Sequence, residues 1–146
     1  MLLLLLVGGL IGTACVVVYF LSSSTVPHPV YVYKPWGHEI IFAQYRSWLN
    51  WQGYVGKVLI IREGGELSLQ YHRWKVETVY VYSGSMTMEL WEDGKPNRYV
   101  MKAGDVQHIP RRMRHRMSAI SDCVVVEAST NWLGDVVRLR DLYGRV

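Results

Sequence analysis

Gln70 and His72 stand two residues apart, Glu77 follows after four more residues, and His115 comes later in the chain. On a strand, the first two side chains leave the same face, because successive residues alternate sides. Glu77 opens the next strand-like run after the short 73–76 connection, so it can return beside them. His115 opens another such run. Two imidazoles, a carboxylate and an amide carbonyl form a mixed nitrogen and oxygen donor set. This set suits Zn²⁺ first among divalent metals, and Mn²⁺, Fe²⁺, Co²⁺ or Ni²⁺ also fit it. A single histidine in a strand is ordinarily packed or solvated. The combined spacing is what points to a metal.

The elements that would position these residues read as all-β. Short runs rich in Val, Ile, Tyr and Thr occur at 39–44, 57–62, 67–72, 77–82, 86–91, 98–101, 106–109, 115–120, 123–128 and 136–139. Turn signals separate them at Glu63-Gly64-Gly65, Ser83-Gly84-Ser85, Glu92-Asp93-Gly94 and Ala103-Gly104-Asp105. No run in this part has the period of a long amphipathic helix. Many short, closely spaced strands predict a barrel or sandwich, and a jelly roll is one way to remove free edges.

Residues 1–21 hold no charged side chain and are almost wholly apolar, close to the roughly 20 residues that a helix needs to cross a hydrocarbon core. The expected organisation is a transmembrane anchor over 1–21, a linker over 22–33 and one domain over 34–146. A cleaved secretory signal is the competing reading, with Ser22-Ser23-Ser24 as small residues at the cleavage site. Lipoprotein processing at Cys15 is disfavoured by the apolar residues that follow it directly. Lys34 and Arg46 lie after the apolar run and no basic residue precedes it, which predicts a single-pass protein with its domain in the cytoplasm. Cys123 is alone in the domain, so the domain has no internal disulfide.

The formal net charge is +4. Its densest cluster is Arg111, Arg112, Arg114 and Arg116, read either as a solvated loop or as an attraction for an anionic ligand such as a sugar phosphate. No basic helix or base-reading motif is present, which argues against nucleic acid.

The order Gly64, Gln70, His72, Glu77, Gly84 has the spacing of the first cupin motif, with Gln in the first His position. Gly104, Pro110 and His115 have the spacing of the second, with Arg112 where that motif has Gly. The chain therefore resembles the cupin superfamily, and its expected fold is a cupin jelly-roll barrel. The runs Lys34-Pro35-Trp36-Gly37, Leu67-Ser68-Leu69-Gln70-Tyr71-His72, Val126-Glu127, Asp135-Val136-Val137-Arg138 and Tyr143-Gly144-Arg145 narrow the likeness. They look like the C-terminal cupin domain of type II phosphomannose isomerases, which is often fused to a mannose-1-phosphate guanylyltransferase.

That resemblance implies interconversion of mannose 6-phosphate and fructose 6-phosphate, in sugar-phosphate or polysaccharide-precursor metabolism. It places Gln70, His72, Glu77 and His115 at the metal, Glu127, Lys34 and Lys75 in catalysis, and Arg138 and Arg145 on the sugar or its phosphate. The resemblance implies a phosphorylated hexose as partner, and the further expected partners are a membrane through the N-terminal helix and a second copy of the chain in a homodimer. Two departures weigh against activity. Lys75 stands where the family has Arg, losing bidentate anion recognition, and Thr78 stands where it has His, losing an acid–base group. The alternative is a non-catalytic sugar-binding or structural cupin module tethered to a membrane. A cupin dioxygenase is a third reading, since such donor sets also hold Fe²⁺.

Overall fold

The structure, a computed structural model, describes residues 28–46 and 53–146. The membrane helix expected over 1–21 lies outside them. Among the described residues there is no helix, and therefore none long and apolar enough to cross a membrane.

Eleven strands follow one another: β1 Val30–Lys34, β2 Gly37–Arg46, β3 Gly53–Ile61, β4 Leu69–Tyr71, β5 Glu77–Ser83, β6 Ser85–Glu92, β7 Lys95–Lys102, β8 Val106–Ile109, β9 Arg114–Ala119, β10 Cys123–Thr130 and β11 Val137–Arg140. They form a six-stranded sheet ordered β1-β2-β3-β10-β5-β8 and a five-stranded sheet ordered β11-β4-β9-β6-β7. Every pairing between named strands is antiparallel. Ten of the strands correspond to the ten runs read from sequence. The extra one, β1, lies mostly in the segment expected as linker, where Val30, Tyr31, Val32 and Tyr33 pair with β2. The flanking Pro27 and Pro29 made this stretch look like a linker, yet from Val30 onwards it is a strand.

Local chemistry sets the turns. Asp93 and Gly94 both adopt positive φ (49° and 75°), the two-residue turn that suits the right-handed twist of the β6–β7 hairpin. Gly84 carries the chain from one sheet to the other with φ of 79°, and a Cβ there would lie 2.1 Å from the Asp122 carbonyl oxygen. No other residue type fits at that crossing.

The two sheets enclose an interior that is apolar at one end and polar at the other. Leu59, Ile61, Val79, Val81, Met117 and Val125 are buried in the apolar half, with Trp36, Ile109 and the Met-rich face of β6. The same strands continue in phase into charged residues. β3 adds Lys57 beside Leu59, β10 adds Glu127 after Val125, β5 begins with Glu77 before Val79, and β9 presents His115 before Met117. Period-two alternation alone thus delivers these groups to one end of the barrel.

Replacing Gly84 by Ala should cost at least about 2 kcal/mol of stability, since it adds left-handed backbone strain to a backbone collision. The shift in urea midpoint at unchanged slope measures it, and a shift near zero would show that the crossing tolerates a side chain.

Candidate metal centre

His72 follows β4 directly, Glu77 opens β5 and His115 lies on β9, next to Gln70 in register. One donor atom from each of His72, Glu77 and His115 lies within 4.8 Å of the others, and all three residues are buried. Glu77 Oε1 is 3.3 Å from His72 Nε2 and 3.0 Å from His115 Nε2. The two rings are tilted, with centroids 5.2 Å apart.

The opposite ring nitrogens decide what these atoms can do. His72 Nδ1 meets the Asp135 carbonyl oxygen, and His115 Nδ1 lies 2.9 Å from the Met113 carbonyl oxygen. A carbonyl only accepts, so each Nδ1 must be the protonated nitrogen, and each Nε2 lone pair then faces the carboxylate. His72 Nε2, His115 Nε2 and Glu77 Oε1 are accordingly buried polar atoms with no hydrogen-bond partner. Protonating both rings would place two cations side by side next to Lys75, which is costly in an interior. One divalent cation satisfies all three atoms at once, so the residues fit a metal.

Gln70 sits across from His115, and its Oε1 accepts a hydrogen bond from Ser68 Oγ at 2.7 Å. An amide oxygen has a second lone pair, so this bond orients the side chain without using up its acceptor capacity.

Behind the metal ligands runs a buried chain of charges. The Lys75 ammonium pairs with Glu77 Oε2 and lies 2.7 Å from Glu127 Oε1. Lys57 Nζ is 3.6 Å from the same Glu127 oxygen, and strand pairing sets Glu127 opposite Lys57. Burial pulls the Lys75 pKa down, but Glu127 and then Glu77 outweigh it and hold Lys75 above its ordinary value.

The remaining expected site residues line the same cavity. Lys34, at the end of β1, pairs with Glu39 at 3.3 Å. Arg138, on β11 opposite Gln70, has a buried Nε without a hydrogen-bond partner. Arg145 lies over the Tyr143 ring and is held by Asp141, whose carboxylate also accepts from the Tyr143 and Arg145 backbone N–H groups.

One sequence expectation is corrected, and one of two open readings is narrowed. Thr78 follows Glu77 on β5 and so leaves the opposite face, where its Oγ1 lies 3.1 Å from His108 Nδ1. A histidine at position 78 would face away from the cavity, so the Thr78 departure removes no acid–base group from the site. The arginine cluster does not line the cavity either. Arg116 pairs with Glu66 and Glu89 on the outer face of the five-stranded sheet, and Arg111, Arg112 and Arg114 are exposed. Arg112 holds a positive φ of 65°, the conformation for which glycine suits that motif position, and its N–H donates to the His72 carbonyl at 2.7 Å.

Three site residues escaped the sequence reading. Lys57 had a visible signal, a charge in phase with Val55, Leu59 and Ile61 on an otherwise apolar inward face. Ser68 and Asp135 gave none, because their roles come from neighbours in space. The Asp135 carboxylate accepts from the Arg73, Trp74 and Lys75 backbone N–H groups at 3.1, 2.6 and 2.9 Å, while its own carbonyl orients His72. It ties the loop between the metal ligands to the β10–β11 connection.

Residues 57–128 match the family profile described as "Cupin domain". The match lies wholly within the two-sheet barrel, from β3 to β10. Solved structures with this fold include KdgF from Halomonas sp., at 18% identity and a TM-score of 0.57, where 70% of this chain covers 86% of that one. Oxalate decarboxylase from Bacillus subtilis, at 14% identity and a TM-score of 0.66, is matched by 82% of this chain over 32% of its own. CapF, at 18% identity and a TM-score of 0.62, is matched by 77% of this chain. The chain thus spans about a third of the length of the latter two, 32% and 34%. No curated protein sequence matches it.

Purified protein should hold one divalent metal per chain by elemental analysis, and the His72→Ala, His115→Ala double variant should lose it. Stoichiometric metal in that variant would remove the assignment. Asp135→Ala keeps the backbone carbonyl that meets His72 but removes the carboxylate that anchors the 73–75 loop and so holds that carbonyl in place. It should weaken metal binding by ~10-fold in a competition titration.

The carboxylates also fix an acid response. Asp141 is lowered from 3.8 to about 2 by Arg145. The unfolded chain therefore binds the proton more readily, so this stabilisation is complete above pH 3.8 and disappears as pH falls to about 2. Asp141→Asn should flatten the curve of urea midpoint against pH across that window. An unchanged slope would show that the Asp141–Arg145 pair does not stabilise the fold.

Proposed function

We propose that this cupin is a metal-dependent aldose–ketose isomerase acting on a phosphorylated hexose, with mannose 6-phosphate and fructose 6-phosphate as its substrate pair. The observation that carries the reading is the buried Lys75–Glu127 pair, which lies in the cavity of the metal set and touches a metal ligand through Glu77. Five cationic side chains line that cavity (Lys34, Lys57, Lys75, Arg138, Arg145) against Glu39, Glu77 and Glu127. An anionic ligand complements this excess.

Isomerisation moves one proton between neighbouring carbons and one between their oxygens. His72, Glu77 and His115 would hold a divalent metal, which would supply Lewis-acid polarisation of a bound carbonyl. Glu127 acts as the base, taking the proton from the carbon beside the carbonyl and returning it to the adjacent carbon. Lys75, kept protonated by its two carboxylates, holds Glu127 in place and offers an ammonium proton towards the oxygen that gains charge. Arg138 and Arg145 hold the phosphate, Arg138 through the Nε that has no partner within the chain. We further propose that residues 1–21 fix the domain to a membrane on its cytoplasmic side.

Sugar interconversion with metal restored tests the reading. Glu127→Gln should lower kcat by at least ~10²-fold with metal content unchanged, and Arg145→Ala should raise KM. Hexose phosphate binding without turnover would instead support the sugar-binding module, and absence of binding would exclude both.

A further inference from the structure

Most of the arginine cluster that stays out of the cavity borders a concavity of its own. Tyr71, Arg73, Trp74, Arg112, Arg114 and Leu139 line a groove of about 470 Å³, and none of them borders the cavity of the metal set. It crosses the outer wall of the adjacent strands β11, β4 and β9. Strand alternation sets the two sites back to back, since Tyr71 and Arg114 leave one face where His72 and His115 leave the other. Backbone bonds hold its walls. The Arg112 N–H donates to the His72 carbonyl, and the Asp135 carboxylate accepts from the Arg73 and Trp74 N–H groups. Elsewhere on this sheet the arginines are paired, Arg98 with Glu89 and Arg116 with Glu66 and Glu89. Among the described residues no carboxylate pairs with the exposed side chains of Arg73, Arg112 and Arg114. Arg112 is held at a φ of 65°, where glycine would be unstrained, and no hydrogen bond or ion pair of its side chain offsets that strain.

We propose that this groove is a second ligand site, which binds a nucleoside diphosphate. Three guanidinium groups without partners border one concavity, so its ligand is compact and multiply anionic. A terminal phosphate carries about two negative charges at neutral pH, and the inner phosphate adds a third, which matches the three arginines. A carboxylate would leave two of them unmatched. Guanidinium forks also pair with phosphate oxygens two at a time, which an ammonium does not do. The rest of the wall is aromatic and apolar. Trp74 is 52% exposed and Leu139 41% exposed, beside Tyr71. A nucleobase is planar and stacks on such a surface whatever its hydrogen-bonding edge. The groove volume falls within the range of small-molecule sites, roughly 300–1,000 Å³. The site uses none of the residues assigned to isomerisation, so it stands independently of that reading.

Calorimetric titration of the full chain in mild detergent with ADP tests this, and the expected result is saturable binding of one ADP per chain. Arg112→Gly and Arg114→Gln should each weaken it by at least ~10-fold, the scale of one lost charge-assisted hydrogen bond. Metal content should stay at the native level in both. Arg112→Gly keeps the N–H that meets His72 and suits the left-handed backbone, so its urea midpoint should not fall. Trp74→Ala should weaken ADP binding and leave the binding of inorganic pyrophosphate unchanged. Arg98→Gln, on the same sheet but already paired, should change neither. Absence of ADP binding would overturn the proposal, as would ADP binding that survives both Arg112→Gly and Arg114→Gln. Pyrophosphate bound as tightly as ADP would remove the nucleoside from the assignment. ADP binding lost on Arg138→Ala and kept in the groove variants would place the nucleotide in the metal cavity instead.

Discussion

Everything at the polar end of this barrel depends on one arrangement: two imidazole lone pairs and a carboxylate oxygen aimed at a common point inside the protein. Each Nδ1 is committed to a backbone carbonyl, so neither Nε2 can relieve the convergence by donating. Unpaired polar atoms at that depth cost several kcal/mol in an apolar interior. A divalent cation converts the cost into ligation. The carbonyls that fix the rings come from outside the two strands carrying most of the ligands. The site is therefore a property of how the β10–β11 connection and the segment before β9 pack around the end of the barrel.

The second constraint is charge. Lys57, Lys75, Glu77 and Glu127 are all buried, and none is tolerable alone. Their alternation, Lys57 to Glu127 to Lys75 to Glu77, balances formal charge before any metal enters. A divalent metal then makes the interior positive. Together with Arg138 and Arg145 at the cavity, that excess is what an anionic ligand would neutralise, so metal and ligand chemistry are coupled through the same buried chain. Removing Glu77, which belongs to both, would disturb both.

The apolar half of the interior supports this arrangement without taking part in it. Leu59, Val79, Met117 and Val125 sit one inward position away from Lys57, Glu77, His115 and Glu127, so the strands that pack the core also aim the site. Outside, the same alternation leaves one sheet charged and the other aromatic. A strand that carries a buried carboxylate on one side therefore carries exposed aromatics on the other, as β5 does with Glu77 and Tyr80.

The sequence by itself determined the strand content, the grouping of His72, Glu77 and His115 that could hold a metal, and the polarity of the domain. Those signals are local, being residue spacings of two to six and turn residues such as Asp93-Gly94 that act within their own hairpin. It also contained the orientation of Thr78, since the residue after Glu77 on a strand must face the other way, although comparison by motif position obscured it. Only the tertiary structure showed that Lys57 and Lys75 share Glu127, that Asp135 orients His72 from 63 residues away, and that Arg116 serves the outer sheet rather than the cavity. The physical reason is that these partners are joined by strand pairing and loop packing between distant segments. No local spacing encodes which segments meet. Strand β1 was hidden for the same reason, because a short run flanked by prolines becomes a strand only when β2 supplies its hydrogen-bond partners.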